Sequence, residues 1–190
     1  MLKFTTLGVP LLLAALIAGS SVIAQTHGER EEFSAAAIVN DNLGSGAGRV
    51  IMRVTRWSTD AERSMLANTL LKGNDALLEA LRDMKSVGTM RTPDSLGYDL
   101  RYAHQEPAED GGRRIVLATD RPIGFWEARN QPRTIDYPFT VIQMQIDKNG
   151  EGKGTMSYAT KIIPRGNNIE LENFTTSPVM LTQITAKKID

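Results

Sequence analysis

Two strand-like runs joined by a proline-punctuated connector, residues 113–147, constrain the fold more than any other stretch of the chain. Apolar residues occupy alternate positions over 113–119 and again over 141–147, which is typical of β-strands with one buried face. Pro122, Pro132 and Pro138 punctuate the connector and exclude a long helix or a continuous central strand there. One short strand, at 123–128, still fits between the prolines. The sequence therefore predicts two strands separated by a long bend.

The N-terminal segment has the features of an export signal. Lys3 precedes an apolar run over 7–18, and small residues follow up to Ala24, as a signal peptidase requires. We predict that residues 1–24 are a signal peptide cleaved after Ala24, that 25–32 form a flexible arm, and that the bacterial protein is periplasmic or secreted. The apolar run is shorter than the roughly 20 residues that a membrane-spanning helix needs. We therefore expect no stable membrane span after cleavage.

The composition favours one domain, residues 33–190. A chain of 190 residues is long enough to bury one core and too short to favour two. It contains no cysteine, so packing and strand pairing, rather than disulfides, must stabilise an exported domain. The formal net charge is zero, which gives no long-range field to attract nucleic acid. We expect no nucleic-acid partner.

Residues 59–86 form a predicted helical insert. Thr59 and Glu62 have the spacing of a capping box, Gly73 is placed to end the first helix, and Asn74 to cap a second. Each helix carries an apolar stripe at helical spacing, formed by Met65, Leu66, Leu70, Leu71, Leu77, Leu78, Leu81 and Met84. We expect both stripes to pack against a sheet. The solvated face is then formed by Arg63, Glu79, Arg82 and Asp83.

The strand patterns predict an antiparallel sheet with hairpin connections. The glycine-rich segment 41–48 predicts a turn between strands at 33–40 and 49–57, and a strand at 98–105 forms a hairpin with the run at 113–119. Two last strands, beginning at Ile169 and Val179, predict a C-terminal hairpin. The predicted fold class is α+β, a curved, mainly antiparallel sheet of about eight to ten strands that curls toward a barrel and carries the two-helix hairpin as an insert.

The hairpin around Gly150 allows its register to be predicted. A two-residue turn would mix apolar and polar positions on one face of the return strand. The register that keeps each face uniform makes three pairs: Met144 with Met156, Ile142 with Tyr158, and Asp147 with Lys153. We predict this second register.

The connector holds the densest mixture of aromatic and charged residues in the chain, and we place a candidate ligand-binding site there and on the neighbouring strand. Aromatic rings stack on sugars and apolar ligands, and charged side chains bind polar groups. The candidate ligand-binding residues are Tyr102, His104, Arg121, Trp126, Glu127, Arg129 and Tyr137. No catalytic residue follows from the pattern.

Nucleotide, zinc and serine-nucleophile sites find weaker support. The glycines of 41–48 precede a strand, whereas a phosphate-binding loop precedes a helix. His27 and His104 are the two histidines of the chain, and a catalytic zinc usually has three protein ligands, at least two of them imidazoles. We favour a core-edge role for His104. No Gly-x-Ser-x-Gly elbow is present.

A calcium-loop spacing occurs at Asp147, Asn149 and Glu151. The twelfth place of such a loop requires a glutamate, and Tyr158 stands there. A plain hairpin loop is therefore the favoured interpretation. We predict neither a metal nor a cofactor.

Three functions are consistent with these features. We favour a non-enzymatic ligand-binding or interaction module with a small apolar or sugar-like ligand. One alternative is a hydrolase that acts on a sugar-like substrate through paired carboxylates, for which the candidates are Asp120, Glu127 and Asp136. The other is a scaffold that binds an envelope protein through an exposed apolar patch.

Overall fold

The computed structural model describes residues 28–41, 44–93, 96–122, 136–166, 168–174 and 177–190. These residues form ten strands and two helices: β1 (Glu31–Asp41), β2 (Gly44–Val54), α1 (Asp60–Leu70), α2 (Asn74–Asp83), β3 (Gly88–Arg91), β4 (Tyr98–Leu100), β5 (Tyr102–Pro107), β6 (Arg113–Ala118), β7 (Phe139–Ile146), β8 (Glu151–Arg165), β9 (Asn168–Asn173) and β10 (Val179–Lys188). The connector strand predicted at 123–128 lies outside the described residues.

All ten strands belong to one antiparallel sheet. Its order is β4-β3-β2-β1-β10-β8-β7-β6-β5, and β9 pairs with β8 off this path. β4 and β5 lie at opposite ends of the order, although only Arg101 separates them in the chain. The chain itself therefore links the two ends, and the sheet is a nearly closed barrel. The predicted α+β fold class is confirmed, with the helical hairpin inserted between β2 and β3.

The single strand predicted over 98–105 is in fact two strands with a bend at Arg101. Leu100 and Ala103 are both fully buried, although a regular strand would point residues three positions apart to opposite faces. The bend lets the chain leave β3 and pair with β6. It is held by the Arg101 N–H, which donates to the Ala118 carbonyl at 2.8 Å.

The inner face of the barrel is packed with apolar side chains. Fully buried members include Phe33, Met52, Met90, Leu100, Ile115, Leu117, Ile142, Ile146, Leu181 and Ile184. β2 alternates between the two faces of the sheet, because Val50, Met52 and Val54 are buried while Arg49 and Arg53 are exposed. An interior filled in this way stabilises the fold through burial of apolar surface.

The two helices cover part of the outer face of the sheet. Their second apolar cluster comprises Leu66, Leu70, Leu77, Leu81, Met84, Ala118, Phe139, Val141 and Ile162. The predicted capping box is confirmed, since the Thr59 side chain accepts from the Glu62 N–H and the Glu62 carboxylate accepts from the Thr59 N–H. Met65 and Leu71 are exposed, so the prediction that they belong to the buried stripe is wrong. The predicted solvated face is confirmed, since its four charged residues are all exposed.

Asn74 does not cap the second helix as predicted. Gly73 occupies the N-cap position with φ of +111°, a conformation that glycine adopts at low cost. The Asn74 amide instead bonds the backbone of Ile162 on β8 in both directions, which ties the start of α2 to the sheet.

The predicted register of the β7–β8 hairpin is wrong by two residues. Ile142 pairs with Met156, Met144 pairs with Gly154, and Lys153 faces Gln145 rather than Asp147. A shift of two residues leaves each side chain on its face, so the apolar pattern cannot detect it. The turn decides the register instead, because the Asp147 N–H donates to the Glu151 carbonyl at 2.8 Å and Gly150 has φ of +83°.

Three further predictions about strands need correction. β9 and β10 do not form a C-terminal hairpin: β9 pairs with β8, and β10 lies between β1 and β8. The segment 41–48 is mostly strand, since Gly44 to Gly48 pair with Asp41 back to Ala37. β1 begins at Glu31, two residues inside the segment predicted to be a flexible arm. Pairing between residues distant in the chain decides the partners of β9 and β10 and the lengths of β1 and β2. Local composition does not predict such pairing.

Candidate functional site

The structure distributes the predicted site residues over separate places. Trp126, Glu127 and Arg129 lie outside the described residues. Tyr102 and His104 share the outer face of β5, where their rings stack with centroids 6.3 Å apart and planes 29° from parallel. Arg121 follows β6 and Tyr137 precedes β7, each with partners of its own. The four described residues therefore do not meet at one place, and a ligand-binding role for any of them stays a prediction.

The Tyr102–His104 pair is a packing feature beside α1. Tyr102 packs against the helix-side apolar cluster, and burial raises its pKa to about 12. Burial, and then the positive charge of Arg63, lower the pKa of His104. The neutral imidazole is thus favoured next to the helix, as expected for a histidine at the edge of a core.

Tyr137 belongs to a second aromatic contact, beside β8 and β9. Its ring meets the edge of Phe174 with centroids 5.6 Å apart, and the Lys161 ammonium lies 4.6 Å from its ring centroid. The Tyr137 hydroxyl donates to Glu172 Oε1 at 2.9 Å, and this hydrogen bond raises the pKa of Tyr137. The hydrogen bond to Glu172 therefore occupies the polar end of the ring.

A charged cleft of about 410 Å³ contains the fourth predicted residue. Its lining side chains are Arg82, Asp99, Arg101, Asp120 and Arg121. They come from the last turn of α2, the β4–β5 junction and the segment after β6. The Arg121 guanidinium lies 5.0 Å from the ring centroid of Tyr98, a cation–π geometry. The cleft is open to solvent and has charges of both signs.

Arg101 is the fixed centre of this cleft. Its Nε lies 3.2 Å from Asp120 Oδ2, and its Nη2 lies 3.3 Å from Asp99 Oδ2. Its Nη1 donates to the Met84 carbonyl at 3.0 Å. Arg101 therefore connects the end of α2 to both strand segments. We call the three side chains Arg101, Asp99 and Asp120 the arginine anchor.

No protein-family model, curated protein or solved structure matches the chain. The cleft is therefore interpreted from its own residues and their chemistry.

Sequence reasoning missed Arg82, Asp99 and Arg101. Arg82 belongs to the predicted solvated face of its helix, and Asp99 and Arg101 lie within the single strand predicted over 98–105. A weak signal existed in the chain, because Asp99, Arg101, Asp120 and Arg121 are charged residues at strand ends, where sites are often built. Only the bend at Arg101 brings them together.

The Asp147 loop forms a hairpin turn, as favoured from the sequence. Asp147 Oδ1 accepts hydrogen bonds from the N–H groups of Asn149 and Glu151 at 2.8 and 2.9 Å.

Across the described parts of the chain, His, Asp and Glu side chains form no group of three or more able to hold a metal ion. In the same residues, no helix has the length and apolar character required to cross a membrane.

Proposed function

We propose that the protein is an exported, non-enzymatic binding module that holds a small charged ligand in the cleft around Arg101. The observation that carries this proposal is the cleft itself, which collects three guanidinium groups and two carboxylates from distant segments. A cavity of this size is within the range that binds small molecules. The ligand is charged rather than the small apolar or sugar-like molecule first expected, since the lining side chains that the structure describes are all charged.

The arginine anchor supports a binding role because it fixes the walls of the cleft. Arg101 makes contacts to two carboxylates and one carbonyl, so its guanidinium has a defined orientation. A rigid wall lowers the entropy lost when a ligand binds. Arg82 makes no ion pair within the described part of the chain, and its charge is directed at the same open space.

The alternative of a carboxylate-dependent hydrolase has one observation in its favour. Asp99 and Asp120 share a cleft, as a pair of catalytic acids must. However, Oδ2 of each carboxylate contacts the same guanidinium, which suits a structural contact. Glu127 lies outside the described residues, and Asp136 is exposed and is not among the lining residues. We therefore place binding ahead of hydrolysis.

The scaffold alternative has less support in the structure than the binding function has. Ile38 and Met180 pair across β1 and β10 on the outer face and are about half exposed. Isolated exposed apolar side chains are ordinary on protein surfaces.

Export is part of the proposal and rests on the N-terminal pattern. N-terminal sequencing of the protein purified from the envelope of a bacterial host should find a chain that begins at Gln25. A chain purified from the cytoplasm with its N-terminus intact would contradict export.

Native mass spectrometry of the gently purified protein tests the binding function. We expect a retained small molecule that is lost in Arg82→Ala, because this change removes one guanidinium from the cleft. Arg49→Ala is the matched control, since Arg49 is an exposed arginine on β2 outside the cleft lining. Retention by the control and by Arg82→Ala alike would locate the ligand elsewhere, and the absence of any ligand would count against the proposal.

A further inference from the structure

One edge of the sheet, on β2, is available for pairing with a further strand. β1 pairs with β2 along its whole length, whereas β3 pairs with β2 only over Ile51–Val54. Over residues 45–49, no strand pairs with the second edge of β2 within the part of the chain that the structure describes. We call these five residues the open edge. An exposed edge of this kind is a template for one more strand.

The open edge lacks the features that protect other edge strands of the sheet. β4 has only three residues, β5 ends in Glu106 and Pro107, and β9 carries the exposed carboxylates of Glu170 and Glu172. Short length, proline and charges of one sign all disfavour pairing with a second copy. The open edge is exposed at all five residues and contains one charged residue, Arg49. It is therefore the edge best suited to pairing.

We infer that the open edge pairs with the same edge of a second copy of this chain, so that two barrels share one continuous sheet. An antiparallel pairing about a two-fold axis at Ala47 uses all five residues and keeps the outer faces of both barrels on one side. In this register Gly46 faces Gly48 and Ser45 faces Arg49, so no like charges meet. The inference is independent of the charged cleft.

The side chains beside the open edge favour a second copy as the partner. Ala47 pairs with Ile38 on β1, and Ile38 pairs with Met180 on β10, so the three form an apolar row on the outer face. Ile38 is 44% exposed and Met180 is 50% exposed. The two-fold axis brings two such rows end to end. On the inner face, a Cβ added at Gly46 or Gly48 would meet no described atom within 4 Å, so another backbone can approach closely.

Sedimentation equilibrium of the mature chain tests this inference. We expect a monomer–dimer equilibrium that Ala47→Lys weakens about tenfold or more, because the two lysines face each other at the axis. An equimolar mixture of Ala47→Lys and Ala47→Glu should restore the dimer, since opposite charges then meet. Ala67→Lys is the matched control, because Ala67 is exposed on α1, and it should associate as the wild type does.

A single cysteine tests the position of the axis. The chain has no cysteine, and directly opposed residues of an antiparallel pair have Cα atoms about 4.5–5.5 Å apart, within the reach of a disulfide. With copper-catalysed oxidation by dioxygen, the two thiols of Ala47→Cys should lose two protons and two electrons to the oxidant and form one S–S bond. Ala67→Cys, treated in the same way, should remain uncross-linked.

Three results would overturn the inference. They are a wild-type chain that stays monomeric up to about 1 mM, a dimer that Ala47→Lys leaves unchanged, and an Ala47→Cys variant that cross-links no faster than Ala67→Cys. The first result would leave the open edge to an extended segment of another protein. None of the three bears on ligand binding in the cleft, which the native mass spectrum tests separately.

Discussion

At the scale of single residues, a few polar side chains replace backbone hydrogen bonds that the sheet and helices cannot supply themselves. Asn74 is the clearest case, since its Nδ2 donates to the Ile162 carbonyl at 3.1 Å and its Oδ1 accepts from the Ile162 N–H at 2.9 Å. The amide thus makes the pair of hydrogen bonds that the backbone of a neighbouring strand would make with β8. Asp147 has a comparable role in its turn, where it accepts two backbone N–H groups.

We predict that Asn74→Ala lowers the free energy of unfolding by about 1–3 kcal/mol, because it leaves two backbone groups of a buried residue without partners. Urea denaturation measures the change. Asn68→Ala is the control, since Asn68 is exposed on α1, and alanine there should be neutral or slightly stabilising. Equal stabilities of the two variants would contradict the role assigned to Asn74.

Asp147 predicts a pH dependence of stability. The hydrogen bond from the Glu151 N–H, followed by those from the loop around Asn149, holds the pKa of Asp147 below its ordinary value of 3.8. A carboxyl with a lowered pKa in the folded state adds stability that is complete above the unfolded pKa and is lost as the pH falls through the folded pKa. The gain should therefore disappear on acidification below 3.8.

The test compares wild type with Asp147→Asn by urea denaturation from neutral pH down to about pH 2. Their difference in free energy of unfolding should shrink as the pH falls through this window, because asparagine keeps an acceptor and loses the charge. Glu79→Gln, at an exposed position on α2, is the control. A difference that is independent of pH would show that charge has no part in the turn.

At the scale of elements, the helical hairpin packs on the sheet through its inward-facing leucines, whereas a leucine exposed to solvent contributes little to that packing. Leu81 is 2% exposed within the helix-side cluster, whereas Leu71 is 72% exposed. The two leucines lie ten positions apart in the same hairpin. A comparison of the two therefore separates the effect of burial from the effect of residue type. Both had been assigned to the apolar stripe, and only the tertiary contact distinguishes them.

We predict that Leu81→Ala lowers the free energy of unfolding by about 2–5 kcal/mol, through lost burial and the cavity that remains. Leu71→Ala should change it by less than about 0.5 kcal/mol. Chemical denaturation of both variants measures the contrast. Similar losses for the two would mean that the hairpin does not pack on the sheet in the way described.

At the scale of the whole molecule, one ion pair spans the barrel between β1 and β6. Arg113 donates to both carboxylate oxygens of Glu31 at 2.7 Å and to Gln105 at 2.8 Å. The side chain of Glu31 is 8% exposed, and the Arg113 guanidinium lies 5.8 Å from the ring centroid of Phe33 in the core. This pair connects segments 82 residues apart, so it stabilises the closed form of the sheet.

We predict that Arg113→Ala lowers the free energy of unfolding by about 3–5 kcal/mol, because it leaves the buried Glu31 carboxylate without its counter-charge. Arg165→Ala, which removes the exposed pair with Glu170, should cost less than about 1 kcal/mol. Chemical denaturation of these two single variants and of the double variant Glu31→Gln/Arg113→Ala measures the free energies of unfolding. The double variant should be more stable than Arg113→Ala, and a double variant that is equally or less stable would contradict the role assigned to the pair.

The sequence by itself determined the fold class, the two helices with their capping box, and the buried face of most strands. These features are set by residues that are neighbours in the chain or recur with the period of a strand or helix. The tertiary structure decided the β7–β8 register, the partners of β9 and β10, the bend at Arg101 and the charged cleft. A two-residue shift in register leaves every side chain on the same face of the sheet. A charged residue that lines a cleft has the same local sequence pattern as one exposed to solvent. The fold brings α2, the β4–β5 junction and the end of β6 together. Only this arrangement makes neighbours of the cleft residues Arg82, Asp99, Arg101, Asp120 and Arg121.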